Sequence, residues 1–252
     1  MRRGLLLGLL GTLALAAASL SAASPPQPAA RATPGLRPGV VADIATGVAR
    51  VHARSCRGRS VRVGTGFLIG EQVVMTARHV LTGTCGYTVI LGGRAYGGSR
   101  RIFWYTAGAR DETVADVATL KLSSPVRGHL LAFARRTPKL GTTISVFALP
   151  LGNPLDMNQG PLVATPRAQG VPLLEVGIAA EKGSSGSPYL DSQGDVVGIL
   201  QRSFVSSTTG PALGVDLVRW WGTYIIPDLC RAYPHGGIPG CRDQDAWTNA
   251  GS

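Results

Sequence analysis

Aromatic side chains are scarce in this chain of 252 residues, at 6% of the total, and lysine occurs only at positions 121, 139 and 182. With 34 glycines and 17 prolines beside them, so few aromatics argue against long packed helices and for turns joining short strands. After Ala18 no apolar run is long enough to cross a membrane, which takes about 20 residues as a helix. The formal charge is +11. The arginines that carry it are scattered, with no dense basic run and no nucleic-acid motif, so nucleic acid is not an expected partner. The four cysteines, Cys56, Cys85, Cys230 and Cys241, lack the paired spacing of a zinc framework. No acidic cluster suggests calcium. No metal and no cofactor is expected.

What is present begins with a secretory leader. Arg2 and Arg3 open the chain, Leu5–Ala18 is an apolar and glycine run, and Ser21-Ala22-Ala23 offers small residues for cleavage. Residues 1–23 therefore read as a signal peptide and the protein as secreted, extracellular, periplasmic or attached to the cell wall. Its removal leaves no stable membrane span. Residues 24–40 are rich in proline and alanine and read as a leader or linker. An even cysteine count behind a signal peptide suggests two disulfides. Three connectivities are open, and Cys56–Cys85 with Cys230–Cys241 is favoured.

From residue 41 the apolar runs are short and rich in β-branched residues: 61–69, 73–77, 87–91, 101–105 and 115–122, then 143–148, 162–166, 173–178, 187–190, 196–200 and 212–215. Such spacing predicts an all-β sandwich or barrel. Two sets of about six strands, 41–124 and 138–216, meet at a polar, turn-rich connection. Behind Asp216, a fitting N-cap, LVRWWGTYII has helical spacing and predicts one C-terminal helix with its aromatic side buried. Residues 223–252 form a C-terminal extension with an expected disulfide loop.

Three segments carry chemistry. In Gly183-Ser184-Ser185-Gly186-Ser187-Pro188, the glycines let the chain turn tightly around Ser185, and the N–H groups of Gly183 and Ser185 suit an oxyanion hole. His79 follows the strand run VVMTA, where it can project into a cleft as a general base. Asp116 sits in an apolar strand-like run, and a buried carboxylate needs a hydrogen-bonded partner such as a histidine N–H. Asp111 competes for that role from a polar turn, and strand context favours Asp116. His52, His129 and His235 lack a partner motif and read as surface residues.

Taken together, the order His79, Asp116, Ser185 is that of chymotrypsin-type peptidases and not of subtilisins or α/β-hydrolases. GTGFLIG with VVMTARHV resembles the strand pair that delivers the histidine in trypsin-like peptidases, DVATLKL their aspartate strand, and GSSGSP with GDVVGIL their nucleophile loop and the strand after it. The resemblance implies two six-stranded antiparallel β-barrels with a cleft between them. It implies a serine endopeptidase, acting on protein or peptide substrates as a monomer, with His79, Asp116 and Ser185 as catalytic triad. Cys56 and Cys85 flank the His79 hairpin, as a disulfide does in many members. Ser184 stands where the animal digestive enzymes carry an aspartate, which argues against their zymogen switch. The loop is closer to bacterial glutamyl endopeptidases and heat-shock-type periplasmic proteases. About 30 residues follow the barrels, too few for the peptide-binding domain of the latter.

Specificity follows less directly. Ala179, six residues before Ser185, and Ala180 would lie at the floor of the primary pocket. With no acid there, a small or medium apolar residue is the default and preference for Arg or Lys is not supported. Leu200, Gln201 and Arg202 would line the same cleft, and Lys182 or Arg202 would attract an acidic residue. The alternative is a catalytically inactive homologue that binds or adheres; the complete set of three residue types argues against it.

Overall fold

The apolar runs fold into strands, and pairing between chain neighbours winds them into two barrels. The computed structural model describes residues 35–57, 59–105, 116–203, 211–220, 229–230 and 238. The signal peptide, Asp111, His235, Cys241 and most of the leader and C-terminal extension lie outside them.

The first barrel comprises β1 (Val48–Arg54), β2 (Ser60–Gly70), β3 (Val73–Thr76), β4 (Gly86–Leu91), β5 (Arg94–Tyr105) and β6 (Val117–Leu122). It is antiparallel and closes in the order β1-β2-β3-β6-β5-β4. The second comprises β7 (Thr143–Ala148), β8 (Asp156–Ala164), β9 (Arg167–Ala168), β10 (Val171–Val176), β11 (Pro188–Leu190), β12 (Val196–Ser203) and β13 (Ala212–Asp216). Its order is β13-β12-β11-β7-β8-β10, and pairing of β13 with β10 completes a ring of six, with the two-residue β9 hung on β10. The expected chymotrypsin-like two-barrel architecture is the observed one.

Period-two alternation decides where each side chain goes. In β2, Leu68 enters the core of the first barrel with Val51, Val74, Val89 and Leu120, while Phe67 and Ile69 enter a core shared between the barrels with Met75, Phe133, Phe147, Leu190 and Val196. Both faces of β3, and of β2 from Gly64 onward, are therefore buried, which is why these segments read as continuous apolar runs rather than alternating ones. Burial of each such large side chain stabilises the fold by about 1.5–3 kcal/mol. The connection between the barrels, polar on average, contributes to the shared core as well. Its Leu131 and Phe133 are buried, and Ala134 N–H donates to Val196 C=O.

Some elements, the short β9 among them, were not foreseen. Helix α1 (Pro38–Gly47) starts inside the Pro/Ala-rich leader. Proline in the first turn is compatible with a helix start, and Val40, Val41 and Ile44 pack on the shared core. Strand β1 was hidden by its arginines and by His52, which breaks the apolar pattern; His52 is half-buried, and its Nδ1 lies 3.2 Å from Ser60 Oγ. Burial, then Arg50 and Arg54, hold the pKa of its ring below the usual histidine range.

At the end of the second barrel Asp216 does cap a helix, α3 (Leu217–Trp220), accepting from Arg219 N–H at 3.0 Å. Burial raises its carboxyl pKa, against hydrogen bonds from the Arg219 N–H and from Thr137 and the nearby Arg219 charge. The continuation expected through Ile226 falls outside the described residues. Among those described, no helix is long and apolar enough to cross a membrane.

Cys56 and Cys85 are joined, which ties the loop after β1 to the entry of β4. Cys230 is disulfide-bonded as well. The Cys56–Cys85 bridge encloses β2, β3 and the turn bearing His79. We expect the double variant Cys56→Ala/Cys85→Ala to lose about 2–4 kcal/mol of stability. Urea unfolding midpoints of the variant and the parent, both with Cys230 oxidised, check this; equal midpoints would count against it.

Candidate active site

β3 ends at Thr76, and Ala77 leads into a single helical turn, α2 (Arg78–Leu81), whose second residue is His79. β6 lies antiparallel to β3 with Thr76 opposite Ala118. That register brings the residue just before β6, Asp116, to the start of α2. Asp116 is not itself in the strand, as the sequence suggested, but at its threshold. One carboxylate oxygen, Oδ1, accepts from His79 N–H at 2.7 Å, and the other, Oδ2, lies 2.5 Å from His79 Nδ1. Asp116 C=O also accepts from Arg78 N–H at 3.2 Å. The aspartate side chain is 7% exposed and the histidine side chain 49%. The imidazole is thus clamped on its buried side, with its far edge toward solvent. A buried carboxylate with two donors is adequately compensated for its desolvation.

The carbonyl end of the same turn is held from β2. Arg62 donates through one guanidinium nitrogen to His79 C=O at 2.7 Å and to Thr82 C=O at 2.5 Å. These carbonyls are among those a helix end leaves without partners. Sequence reasoning passed over Arg62, because an arginine on an exposed strand end carries no local sign of what it reaches.

The turn containing Ser185 sits between β10 and β11 and rests on the first barrel. Ser185 C=O accepts from Thr65 N–H at 2.8 Å. Gly186 has φ of +92°, and a Cβ there would meet Thr65 C=O, Thr76 Oγ1 and Ala77 N. No side chain fits between this turn and the strand end that leads to His79. Gly183 has φ of +95°, and its Cβ would lie 2.6 Å from Leu151 N. The geometry demands glycine at both positions. Lys182 C=O accepts from Leu151 N–H at 2.8 Å. In a planar trans peptide this turns Gly183 N–H the opposite way. Neither Gly183 N–H nor Ser185 N–H donates to a backbone carbonyl among the described residues.

Thr65 links the two halves. Its hydroxyl donates to Gly183 C=O at 2.9 Å and accepts from Leu149 N–H at 3.0 Å, and its own C=O accepts from Thr76 Oγ1 at 2.6 Å. No motif in the sequence gives Thr65 this role; it lies between Gly64 and Gly66 in the GTGFLIG run. A fully buried threonine between two glycines in an apolar strand was the available signal. Thr65→Val keeps the shape and removes the hydroxyl, leaving Gly183 C=O and Leu149 N–H unpaired. We expect a loss of about 1–3 kcal/mol, read from urea denaturation; an unchanged midpoint would show that these groups find other partners.

The remaining predicted residues are dispersed. Ala179 is exposed and Ala180 half-buried, the latter packed on the second barrel's core. Leu200 points its side chain into that core at 1% exposure and serves the turn through its backbone: its C=O accepts from Gly186 N–H, and its N–H donates to Ser187 C=O. Gln201 is buried at a shift in register between β12 and β13, and Arg202 follows opposite Leu213. Lys182 is exposed. A cavity of about 340 Å³ opens beside His79, lined by Ser60, Val61, Arg62, Val63, Val80, Leu151, Lys182 and Gly183. No group of three or more His, Cys, Asp or Glu suited to a metal ion occurs among the described residues.

Comparison with known proteins agrees with the two-barrel fold. A trypsin-like peptidase domain matches residues 64–199. Serine protease Rv3671c of Mycobacterium tuberculosis is 29% identical over 176 residues, 64% of this chain and 41% of that protein. A probable periplasmic serine endoprotease, DegP-like, of Halomonas elongata is 29% identical over 150 residues, 58% of this chain and 30% of that protein. The chain spans less than half the length of these curated relatives. The crystal structure of the active form of the Rv3671c protease superposes with a TM-score of 0.61 at 20% identity, covering 85% of this chain and 95% of that one. The serine endoprotease from Yersinia pestis gives 0.61 at 21%, covering 76% and 65%.

Proposed function

The chain belongs to the trypsin-like peptidase family, and from that premise we propose that it is a secreted serine endopeptidase using Ser185, His79 and Asp116. The observation that carries the reading is the two-point clamp of Asp116 on His79, at the strand end against which the Ser185–Gly186 turn is packed.

In this reading Ser185 Oγ attacks the scissile carbonyl carbon while His79 Nε2 takes its proton. The carbonyl π pair moves to oxygen, and the oxyanion is held by the N–H groups of Gly183 and Ser185. Each such donor is worth about 2.7–4 kcal/mol to the transition state. Collapse breaks the C–N bond, and the imidazolium returns the proton to the departing amine. Water, deprotonated by His79, then cleaves the Ser185 ester. Asp116 stays ionised throughout, fixing the ring with its proton on Nδ1 and stabilising the imidazolium.

Ala179 and Ala180, neither of them acidic, favour a small or medium apolar residue on the acyl side. Export is supported by the charged and apolar N-terminal run and by the Cys56–Cys85 disulfide. A fluorophosphonate probe tests the mechanism: intact-mass analysis should show one adduct, mapped to Ser185. A folded protein that stays unlabelled, or is labelled at another serine, contradicts the assignment.

A further inference from the structure

The cavity beside His79 has walls of a distinctive kind. Its two charged side chains are Arg62 and Lys182; no aspartate or glutamate lines it. Arg62 spends its described hydrogen bonds on two neutral carbonyls, which leaves its positive charge uncompensated. Neither cation makes a salt bridge among the described residues. Val61 and Leu151, 51% and 59% exposed, stand at the same cavity and are among the few large apolar side chains turned to solvent. Val63 and Val80 complete an apolar lining. At about 340 Å³ it is at the small end of ligand cavities, which run from roughly 300 to 1,000 Å³.

Its position relative to the chemistry follows from the lining. The cavity includes His79 and Gly183 but no residue of β12 or β13 and neither Ala179 nor Ala180. The imidazole must hand its proton to the departing amine, so the leaving half of the substrate lies on the His79 side. We infer that this cavity is a specificity pocket for the leaving half of the substrate, and that it selects an acidic side chain, with Lys182 and Arg62 holding the carboxylate and Val61 and Leu151 covering the aliphatic stem. This rests on the endopeptidase reading above and adds a substrate class to it. Arg62 then has two tasks, bracing the His79 turn and lending its charge to the pocket; Lys182 has the second alone.

The test uses the full chain with internally quenched peptides that share one acyl half and differ at one residue of the leaving half: Glu, Gln or Lys. Every peptide is amidated, so that the side chain is the sole carboxylate. We expect kcat/KM for Glu to exceed that for Gln by about fivefold and that for Lys by roughly twentyfold, as pairing with partly exposed cations allows. The preference should shrink as salt is raised. Lys182→Met should reduce it, and Lys182→Glu should abolish or invert it; Lys182 is exposed, so neither change threatens the fold. Equal cleavage of the three peptides by the parent overturns the pocket and leaves the endopeptidase reading standing. A Glu preference that persists unaltered in Lys182→Glu also overturns it. No turnover of any peptide overturns both.

Discussion

Replacing Ser185 by alanine is expected to lower kcat for peptide hydrolysis by about 10⁶, because the acyl-enzyme route disappears and only transition-state binding remains. The fold should tolerate the change. Ser185 is only partly buried, and its described contact with the first barrel runs through its backbone carbonyl to Thr65 N–H. Stability by urea denaturation should therefore match the parent, so that a loss of rate cannot be assigned to unfolding. The neighbouring Ser184→Ala should retain most activity. A Ser185→Ala protein with appreciable turnover ends the assignment, and a comparable loss in Ser184→Ala moves the nucleophile.

The second large effect is expected at Asp116. Asparagine there keeps the shape but offers one acceptor oxygen and one NH₂ group. The buried carboxylate serves two groups at once, the His79 backbone N–H and the ring Nδ1. With the amide oxygen on the backbone N–H, the NH₂ faces Nδ1 and forces the ring proton onto Nε2. That tautomer cannot accept the serine proton. We expect Asp116→Asn to lower kcat by about 10⁴, with KM altered far less, since the residue is buried away from the substrate. A kcat within tenfold of the parent, in a protein shown to be folded, refutes the role. Labelling by the fluorophosphonate should slow in parallel, because it draws on the same proton transfer.

The two variants probe different kinds of information in the chain. The strands around His79 and Asp116 were legible because both faces of β3, β6 and the second half of β2 are buried, and unbroken apolar runs such as GFLI and VVM are the mark of that burial. Strand ends were less so: Asp116 was read as inside a strand because Val117 and its followers are apolar, whereas pairing begins one residue later. Helix α1 was missed because proline and alanine dominate the segment before it, and the spacing of Val40 and Ile44 gains meaning only against the core they cover. β1 was missed because its arginines and His52 disguise strand alternation.

Thr65 and Arg62 went unread for a different reason. Thr65 reaches Gly183 across a sequence separation of 118 residues, and nothing local marks a hydroxyl for such a partner. Arg62 meets His79 and Thr82 because the β2–β3 pairing folds the chain back on itself. The cavity that Arg62 and His79 share with Lys182 and Leu151 is drawn from both barrels.

The chain by itself determined the all-β class, the two groups of strands and the order His, Asp, Ser. Each of these is written in residue type, local period or spacing along one dimension. Tertiary structure decided which of the polar groups meet: the grip of Asp116 on His79, the Thr65 link to the Ser185 turn, and the cationic, apolar-lipped cavity beside the imidazole. Contacts between barrels depend on register and on the absence of a Cβ at Gly183 and Gly186, and close packing fixes those only when the whole chain has folded.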